Sequence, residues 1–491
     1  MADSLKIQAA DNVAVALRDL AVGELVENVI IKEAIATGHK FALQDIAQNT
    51  NVLKYGYPIG HATAPITAGS WVHTHNLATN LDKQLAYTYQ PQQLENKTLD
   101  MVSFMGYPRA NGQVGVRNEL WIIPTVGCVN QSARLIAEQI NQEYAHLANF
   151  DGAVPLIHPY GCSQLGEDHL RTRKILANLA KHPNAGGVLI LGLGCENNTI
   201  AEFKQELQAD QPENLSFLVA QEVEDEISSG LELARQLVAK MLGQQRTACP
   251  ISKLTIGLKC GGSDAFSGIT ANPLVGAVSD QHIARGGATI LTEVPEMFGA
   301  EQLLMARAKD EVTFAKTVDL INNFKAYYEQ HQQPIYENPS PGNKAGGIST
   351  LEEKSLGCVQ KGGRSALVDV LDYVERVRTT GLSLLNGPGN DIVACTVLAS
   401  AGCQIILFTT GRGTPLGTVV PTLKIATNSN IFQKKQNWLD FNAGKLLETA
   451  SMESLSQELY QDILAVASGK QCKAEKMGYR EISIFKTGVT L

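Results

Sequence analysis

The feature that most restricts the fold of this chain is a pattern repeated from Gly106 onward. A short continuous apolar run is followed by a glycine-containing turn and then by apolar residues at helical spacing. "LWIIPTV" leads through "GC" to Ala133, Ile136, Ala137 and Ile140, and "AVPLI" leads through "HPYGC" into "GEDHLRTRKILANLAKH". "GGVLILGLG" passes through "CENN" into "TIAEFKQELQAD", and "LSFLVA" precedes "EDEISSGLELARQLVAKML". Uninterrupted apolar strands are buried on both faces and need helices to cover them, so the pattern predicts an open, mostly parallel α/β sheet.

A second such region follows "RTACPIS": "LTIGL", the loop "KCGGSDAFSG", a helical "PLVGAVSDQHIAR" and the strand "ATILTEV". Farther on, "DIVACTVLASAG" reads as helix and "QIILFTT" as strand, ahead of the loop "GRGTPLG". The N-terminal part differs. Short β-like runs such as "VAVAL", "KFAL" and "NVLKYGYPIG", separated by Gly, Asn and Pro, predict a small all-β module. The aperiodic "YTYQPQQLENKTLD" reads as a linker. A chain of 491 residues exceeds one ordinary core. The division expected is a β module over 1–85, a linker over 86–105, a middle α/β domain over 106–248 and a C-terminal α/β domain over 249–491.

Composition excludes several partners. With 41 basic and 49 acidic residues, nothing in the overall charge attracts nucleic acid or an anionic membrane. No apolar run approaches the ~20 residues that cross a bilayer, and no secretory signal opens the chain. Nine scattered cysteines, an odd number, fit reduced thiols in a cytoplasmic setting better than a disulfide framework. An anionic substrate would require positive charge gathered locally, for which Arg109, Arg117, Lys259, Arg364 and Arg412 are candidates.

Chemistry is expected beyond the carboxyl ends of the strands, where open α/β sheets bind ligands. Cys128, Cys162, Cys195 and Cys260 each follow a predicted strand, and a thiol ahead of a helix N-terminus favours the thiolate. His158, Glu196, Lys259, Ser263 and Asp264 lie beside them, types that ligate metal, move protons or hold a hydroxylated substrate. In "GSWVHTHNL" an extended strand would place His73 and His75 on one face, within reach of one metal ion. The glycine loops are neither a P-loop nor a dinucleotide fingerprint.

Six long segments, in order along nearly the whole chain, carry a resemblance. "KYGYPIGHATAPITAGSWVHTHNL", "GYPRANGQVGVRNELWIIPTVGCVNQSA", "HPYGCSQLGEDH", "LGLGCENN", "LKCGGSDAFSGITANPLVG" and "TTGRGTPLG" resemble the altronate and galactarate dehydratases. Ser163 after Cys162, and Gly127 where relatives often carry Asn, are departures that bear on substrate identity. The resemblance implies an N-terminal SAF-type β-clip, two α/β domains, and a cytoplasmic hydro-lyase of hexuronate breakdown. Its reaction would remove water from an aldonic or aldaric acid to give a 2-keto-3-deoxy acid, with iron(II), or manganese(II) in its place, as cofactor. Length favours D-altronate over galactarate.

On this reading the metal is expected at His73 and His75, completed from Cys128, Cys162, Cys195 and Glu196. Lys259, His158 and Asp264 are the expected catalytic groups, with Lys259 or His158 as base. Arg412, Arg364, Arg117 and Ser263 are expected to bind substrate. Two alternatives remain at this level: an iron–sulfur hydro-lyase using three strand-end cysteines, and a sugar-acid-binding regulatory protein without turnover. The partners expected are a small sugar acid and no nucleic acid or membrane, with room for a homo-oligomer.

Overall fold

The computed structural model describes all residues except 1, 82–85, 95–96, 145 and 209–210, so residues 82–85 and 95–96 at the expected module boundary and linker lie outside it. The N-terminal part is an antiparallel β module. Strands Ser4–Leu5, Val13–Ala16, Lys40–Ala42 and Trp71–Val72 form one sheet, and Asn51–Lys54, Tyr57–Ala62 and Leu77–Ala78 a second. Tyr55 and Gly56 both have positive φ, 63° and 80°, the two-residue turn that matches strand twist and closes the hairpin Lys54–Tyr57. The strand expected to carry the histidine pair stops at Val72. His73 to Asn76 form a turn instead, closed by Asn76 N donating to His73 O at 3.0 Å, so the alternation that would align the two imidazoles does not operate.

The chain enters the middle domain along Ser103–Pro108 and leaves along Thr247–Pro250, and these two strands pair antiparallel, Ser103 opposite Pro250. Sequence periodicity gave no sign of either strand. Between them lies a four-stranded sheet in the order Ala153–Pro155, Glu119–Pro124, Ala185–Gly192, Leu215–Val219, parallel throughout. Glu119–Pro124 is buried along its whole length, as the apolar run requires.

The C-terminal domain holds a seven-stranded parallel sheet ordered Leu367–Leu371, Gly381–Leu385, Ala288–Leu291, Thr255–Cys260, Ile405–Thr410, Thr422–Ala426, Phe441–Asn442. Thr255–Cys260 is therefore central, and the chain continues first to one side of it and then to the other. The two α/β domains share a core: Trp121, Ile123, Val188 and Ile190 of the middle sheet join one apolar cluster with Cys395, Val397, Leu398 and Phe408. The final residues return to the middle domain, where Asp168 accepts from the Thr487 and Gly488 amides at 3.0 and 2.6 Å.

The β module docks through the fully buried helix Leu351–Cys358 of the C-terminal domain. Glu353 accepts from Lys40 at 2.9 Å and Lys54 at 2.8 Å, and all three side chains are at most 1% exposed. Glu352 next to it accepts from Asn80 N at 2.6 Å and Thr79 Oγ1 at 2.9 Å. The two ammonium groups hold the Glu353 carboxyl down at about 2 despite its burial. Glu353→Gln leaves both buried ammonium groups without a counter-ion. It is expected to cost about 3–5 kcal/mol in chemical denaturation, whereas removing the exposed Arg235–Glu143 pair leaves the midpoint unchanged.

Three buried imidazoles set an acid limit. His158, His182 and His282 donate Nε2–H to the carbonyls of Pro124, Cys403 and Leu254 at 2.8, 3.1 and 2.9 Å. Burial pushes their pKa values down to about 4, 3 and 4. The unfolded chain binds those protons near the ordinary value of 6.5, so the stability they contribute is present above that pH and lost as pH falls toward 4. Thermal unfolding midpoints are expected to drop between pH 7 and pH 5, each imidazole removing on the order of 1 kcal/mol per pH unit. Equal midpoints over that interval would contradict the buried neutral assignment.

Candidate active site and metal centre

The carboxyl edge of the seven-stranded sheet gathers charge and sulfur from distant parts of the chain. Strand Thr255–Cys260 ends in Lys259 and Cys260, both buried. The chain turns away immediately through Gly261 and Gly262; a Cβ at Gly261 would lie 2.6 Å from the Phe408 ring and 2.7 Å from the Asp391 carboxylate. After Ala288–Leu291, Glu293 takes a left-handed conformation at φ 72°, and Pro295 opens the turn that delivers Glu296. Helix Leu351–Cys358 supplies Lys354 and Cys358, and the turn Val359–Gly362 supplies Lys361.

Cys260 Sγ and Cys358 Sγ are 3.4 Å apart, and Glu296 Oε2 lies 3.0 Å from the first and 3.2 Å from the second. Among the described residues, this triad brings its three ligand atoms within 4.8 Å of one another. Bonds of about 2.3 Å to a tetrahedral ion place sulfur ligands about 3.8 Å apart, so small side-chain movements suffice to seat one. Two sulfurs and a carboxylate form a soft donor set, suited to iron(II) or zinc rather than calcium or magnesium.

Around the triad, Lys361 Nζ donates to Cys260 Sγ at 2.7 Å, and Lys354 Nζ pairs with Glu296 Oε1 at 2.7 Å. Lys259 Nζ contacts Asp391 Oδ1 at 2.8 Å and makes a very short contact with Glu293 Oε1, whose other oxygen accepts from Cys260 N at 3.0 Å. The Cys358 contact, burial and the neighbouring carboxylates raise the Cys260 thiol well above its usual range. Burial opposes ionisation of Glu296, but Lys354, Lys361 and Lys259 hold its carboxyl well below the ordinary value. Burial likewise works against the Lys259 charge, yet Glu293 and Asp391 raise its pKa well above that of a free lysine. Three carboxylates (Glu293, Glu296, Asp391) thus face three ammonium groups (Lys259, Lys354, Lys361). A divalent ion that displaces two thiol protons preserves this balance.

Glu296, Lys354, Asn343, Asn390, Asp391 and Tyr328 line a cavity of about 1010 Å³ that reaches the triad at Glu296. A second cavity of about 730 Å³ lies between the β module and the C-terminal domain, with Arg412 and Asp264 on its wall. Asp264 is buried, and burial raises its carboxyl above the usual range against the hydrogen bonds from Thr427 and Ser267. Ser263 is buried and gives its carbonyl to Asn343 Nδ2 at 2.8 Å.

The remaining expected residues lie elsewhere. Lys259 is at the centre, but as an ion-paired cation rather than the neutral amine a base requires. His158 is buried in the middle domain, with Nε2 bonded to Pro124 O and Nδ1 accepting from Tyr160 N at 3.1 Å, so neither nitrogen faces a cavity. Arg117 spends its guanidinium on Glu475, at 2.8 and 3.0 Å, and on the carbonyls of Val116, Val466 and Lys470, a structural role in place of the expected substrate contact. Arg364 is exposed, its backbone held by Asp280. His73 is buried with Nε2 on Lys344 O at 2.9 Å, whereas His75 is exposed and rests on the Trp71 ring, so the turn does not assemble a two-histidine site. Cys128, Cys162 and Cys195 are exposed at the edge of the middle sheet, and Glu196 caps its own loop by accepting from Gly194 N at 2.6 Å and Thr125 Oγ1 at 2.6 Å. Sequence reasoning passed over Glu293, Glu296, Lys354, Cys358, Lys361 and Asp391. The usable signal was ionisable residues set in apolar surroundings, as in "TEVPEMF" and "EEKSLGCVQKGG".

Each of the three parts of the fold matches a family profile of sugar-acid hydro-lyases, together over most of the chain, and the chain belongs to the D-galactarate/altronate dehydratase family. Family profiles match 2–80 (altronate/galactarate dehydratase SAF domain), 106–242 (D-galactarate dehydratase/altronate hydrolase, second domain) and 251–490 (D-galactarate/altronate dehydratase, C-terminal). It is 55% identical to the altronate dehydratase of Escherichia coli K12 over 99% of both chains. Identity to the altronate dehydratase of Bacillus subtilis 168 is 53% over the full length of both. The L-threo-forming galactarate dehydratase of E. coli is 34% identical over 95% of this chain and 93% of its own.

The triad has a direct spectroscopic check. Anaerobic titration with Co²⁺ is expected to develop a thiolate-to-cobalt charge-transfer band that both Cys260→Ser and Cys358→Ser abolish or strongly reduce. Cys403→Ser, buried away from the triad, should leave it intact.

Proposed function

We propose that this chain dehydrates D-altronate to 2-dehydro-3-deoxy-D-gluconate in the larger cavity, at the Cys260–Glu296–Cys358 triad. The observation that carries the reading is a soft donor set that meets the cavity at Glu296, beside Lys354 and Asp391, in a chain 53–55% identical to altronate dehydratases from end to end. Iron(II) is the ion we assign, with manganese(II) as a weaker substitute; the two thiol ligands support that choice. When bound, the ion supplies Lewis acidity for the negative charge that develops on the substrate carboxylate as C2 loses its proton.

The chain's own groups do the rest. Asp391, 38% exposed on its side chain and lining the cavity, takes the C2 proton, while Lys259 at 2.8 Å holds its carboxylate in place. Lys354, also on the wall, is a charged donor for the departing C3 hydroxyl. Asn343 and Asn390 present amides to the sugar hydroxyls. The resulting enol tautomerises to the keto acid. Nine free cysteines, six of them buried, support a reduced cytoplasmic setting.

The test is an anaerobic, Fe²⁺-supplied incubation with altronate, mannonate, gluconate and galactarate, quantifying 2-keto-3-deoxy acids. Altronate is expected to dominate, and Asp391→Asn to lower kcat by about 10²–10⁴ with a smaller change in KM. A dominant galactarate signal would replace the substrate, and full turnover in persistent excess chelator would remove the metal from the mechanism.

A further inference from the structure

The middle domain carries a second constellation of sulfur that the dehydration site does not use. Gly127–Cys128, Gly161–Cys162 and Gly194–Cys195 are three Gly–Cys dipeptides, each in the loop that follows one of three adjacent parallel strands. The strand order places the loop of Glu119–Pro124 between the other two, where the chain reverses direction across the sheet. Of nine cysteines these three are the exposed ones.

The loops are sewn together at the residues beside the thiols. Gly127 N donates to Tyr160 O at 2.9 Å, Asn198 N to Gly161 O at 3.0 Å, and Ser163 N to Asn197 Oδ1 at 2.8 Å. A Cβ at Gly161 would sit 2.0 Å from Thr125 O, and one at Gly127 2.9 Å from His158 O, so only glycine permits so close an approach.

The spacing selects the ligand. One ion with bonds of about 2.3 Å needs its sulfurs within about 4.6 Å of one another. The C-terminal triad meets such a limit, and this trio does not come within 4.8 Å as a set. Thiols too far apart as a set for one ion call instead for a polynuclear core, several Å across. Glu196 accepts from Leu193 N, Gly194 N and Thr125 Oγ1, and His158 bonds Pro124 O and Tyr160 N, so neither is free to serve as a fourth ligand.

We propose that Cys128, Cys162 and Cys195 hold an iron–sulfur cluster, with one iron left without a protein thiolate and open to water or a hydroxy-acid oxygen. The site is independent of the Cys260–Glu296–Cys358 triad.

The full-length chain, purified anaerobically and reconstituted with ferrous ammonium sulfate and sodium sulfide, provides the test. Expected are about four iron and four acid-labile sulfides per chain beyond the ion at the triad, with the broad visible absorption of a cluster. Cys128→Ser, Cys162→Ser and Cys195→Ser should each lose most of that absorption and sulfide, while Cys260→Ser retains them. In the wild-type chain the three exposed thiols should react with a thiol reagent before reconstitution and at least tenfold more slowly after it, a readout that does not depend on a variant folding. Iron bound without sulfide, absorption that survives all three substitutions, or thiols that stay equally reactive would each overturn the proposal. None of these outcomes touches the dehydration reading, which fails through Cys358→Ser and Asp391→Asn.

Discussion

One carboxylate between two buried ammonium groups fixes the relation between the β module and the catalytic end of the molecule. Glu353 holds Lys40 and Lys54, each from a different strand of the module, and all three groups are buried. Taking three charges out of solvent is unfavourable unless their geometry is nearly ideal, so a displaced module would leave buried ammonium groups without their carboxylate. The next residue on the same helix, Lys354, reaches Glu296, and Cys358 one turn later completes the sulfur pair. Docking and chemistry therefore share one eight-residue helix with no exposed face.

The triad illustrates how charge balance decides roles. A buried lysine is a useful base only when its surroundings favour the neutral amine. Lys259 instead meets Glu293 and Asp391, and remains a cation that orients carboxylates. With three ammonium groups matched to three carboxylates, two thiols are the members free to lose protons, and a divalent ion takes their place without leaving uncompensated charge in the core.

The same topological device appears twice at different spacings. Both parallel sheets present thiols at their carboxyl edges, because a strand that ends before a helix exposes its last residues there. In the C-terminal domain the thiols come from a strand end and a helix end, and meet at 3.4 Å in the interior. In the middle domain they come from three neighbouring strand ends and stay at the surface.

Local physics made much of this readable from residues alone. Continuous apolar runs closed by glycine loops determined the parallel strands from Glu119 to Val219 and, in the C-terminal domain, Thr255–Cys260, Ala288–Leu291 and Ile405–Thr410, since only burial on both faces tolerates them, whereas Leu367–Leu371 and Gly381–Leu385 were not legible in this way. The placement of Lys259 and Cys260 at a strand end followed from the same pattern. The partners of that strand end were decided only by tertiary structure. Glu293 depends on a left-handed backbone, Cys358 lies 98 residues beyond Cys260 in a helix that carries no loop signal, and Asp391 begins another helix. His73 and His75 failed for the converse reason: their pairing assumed two more residues of strand, and a turn closed by Asn76 ended it at Val72. Sequence periodicity records which face of an element is buried. It does not record which buried charges meet, because that depends on how distant elements pack and on the balance of ionised groups in the low-dielectric interior.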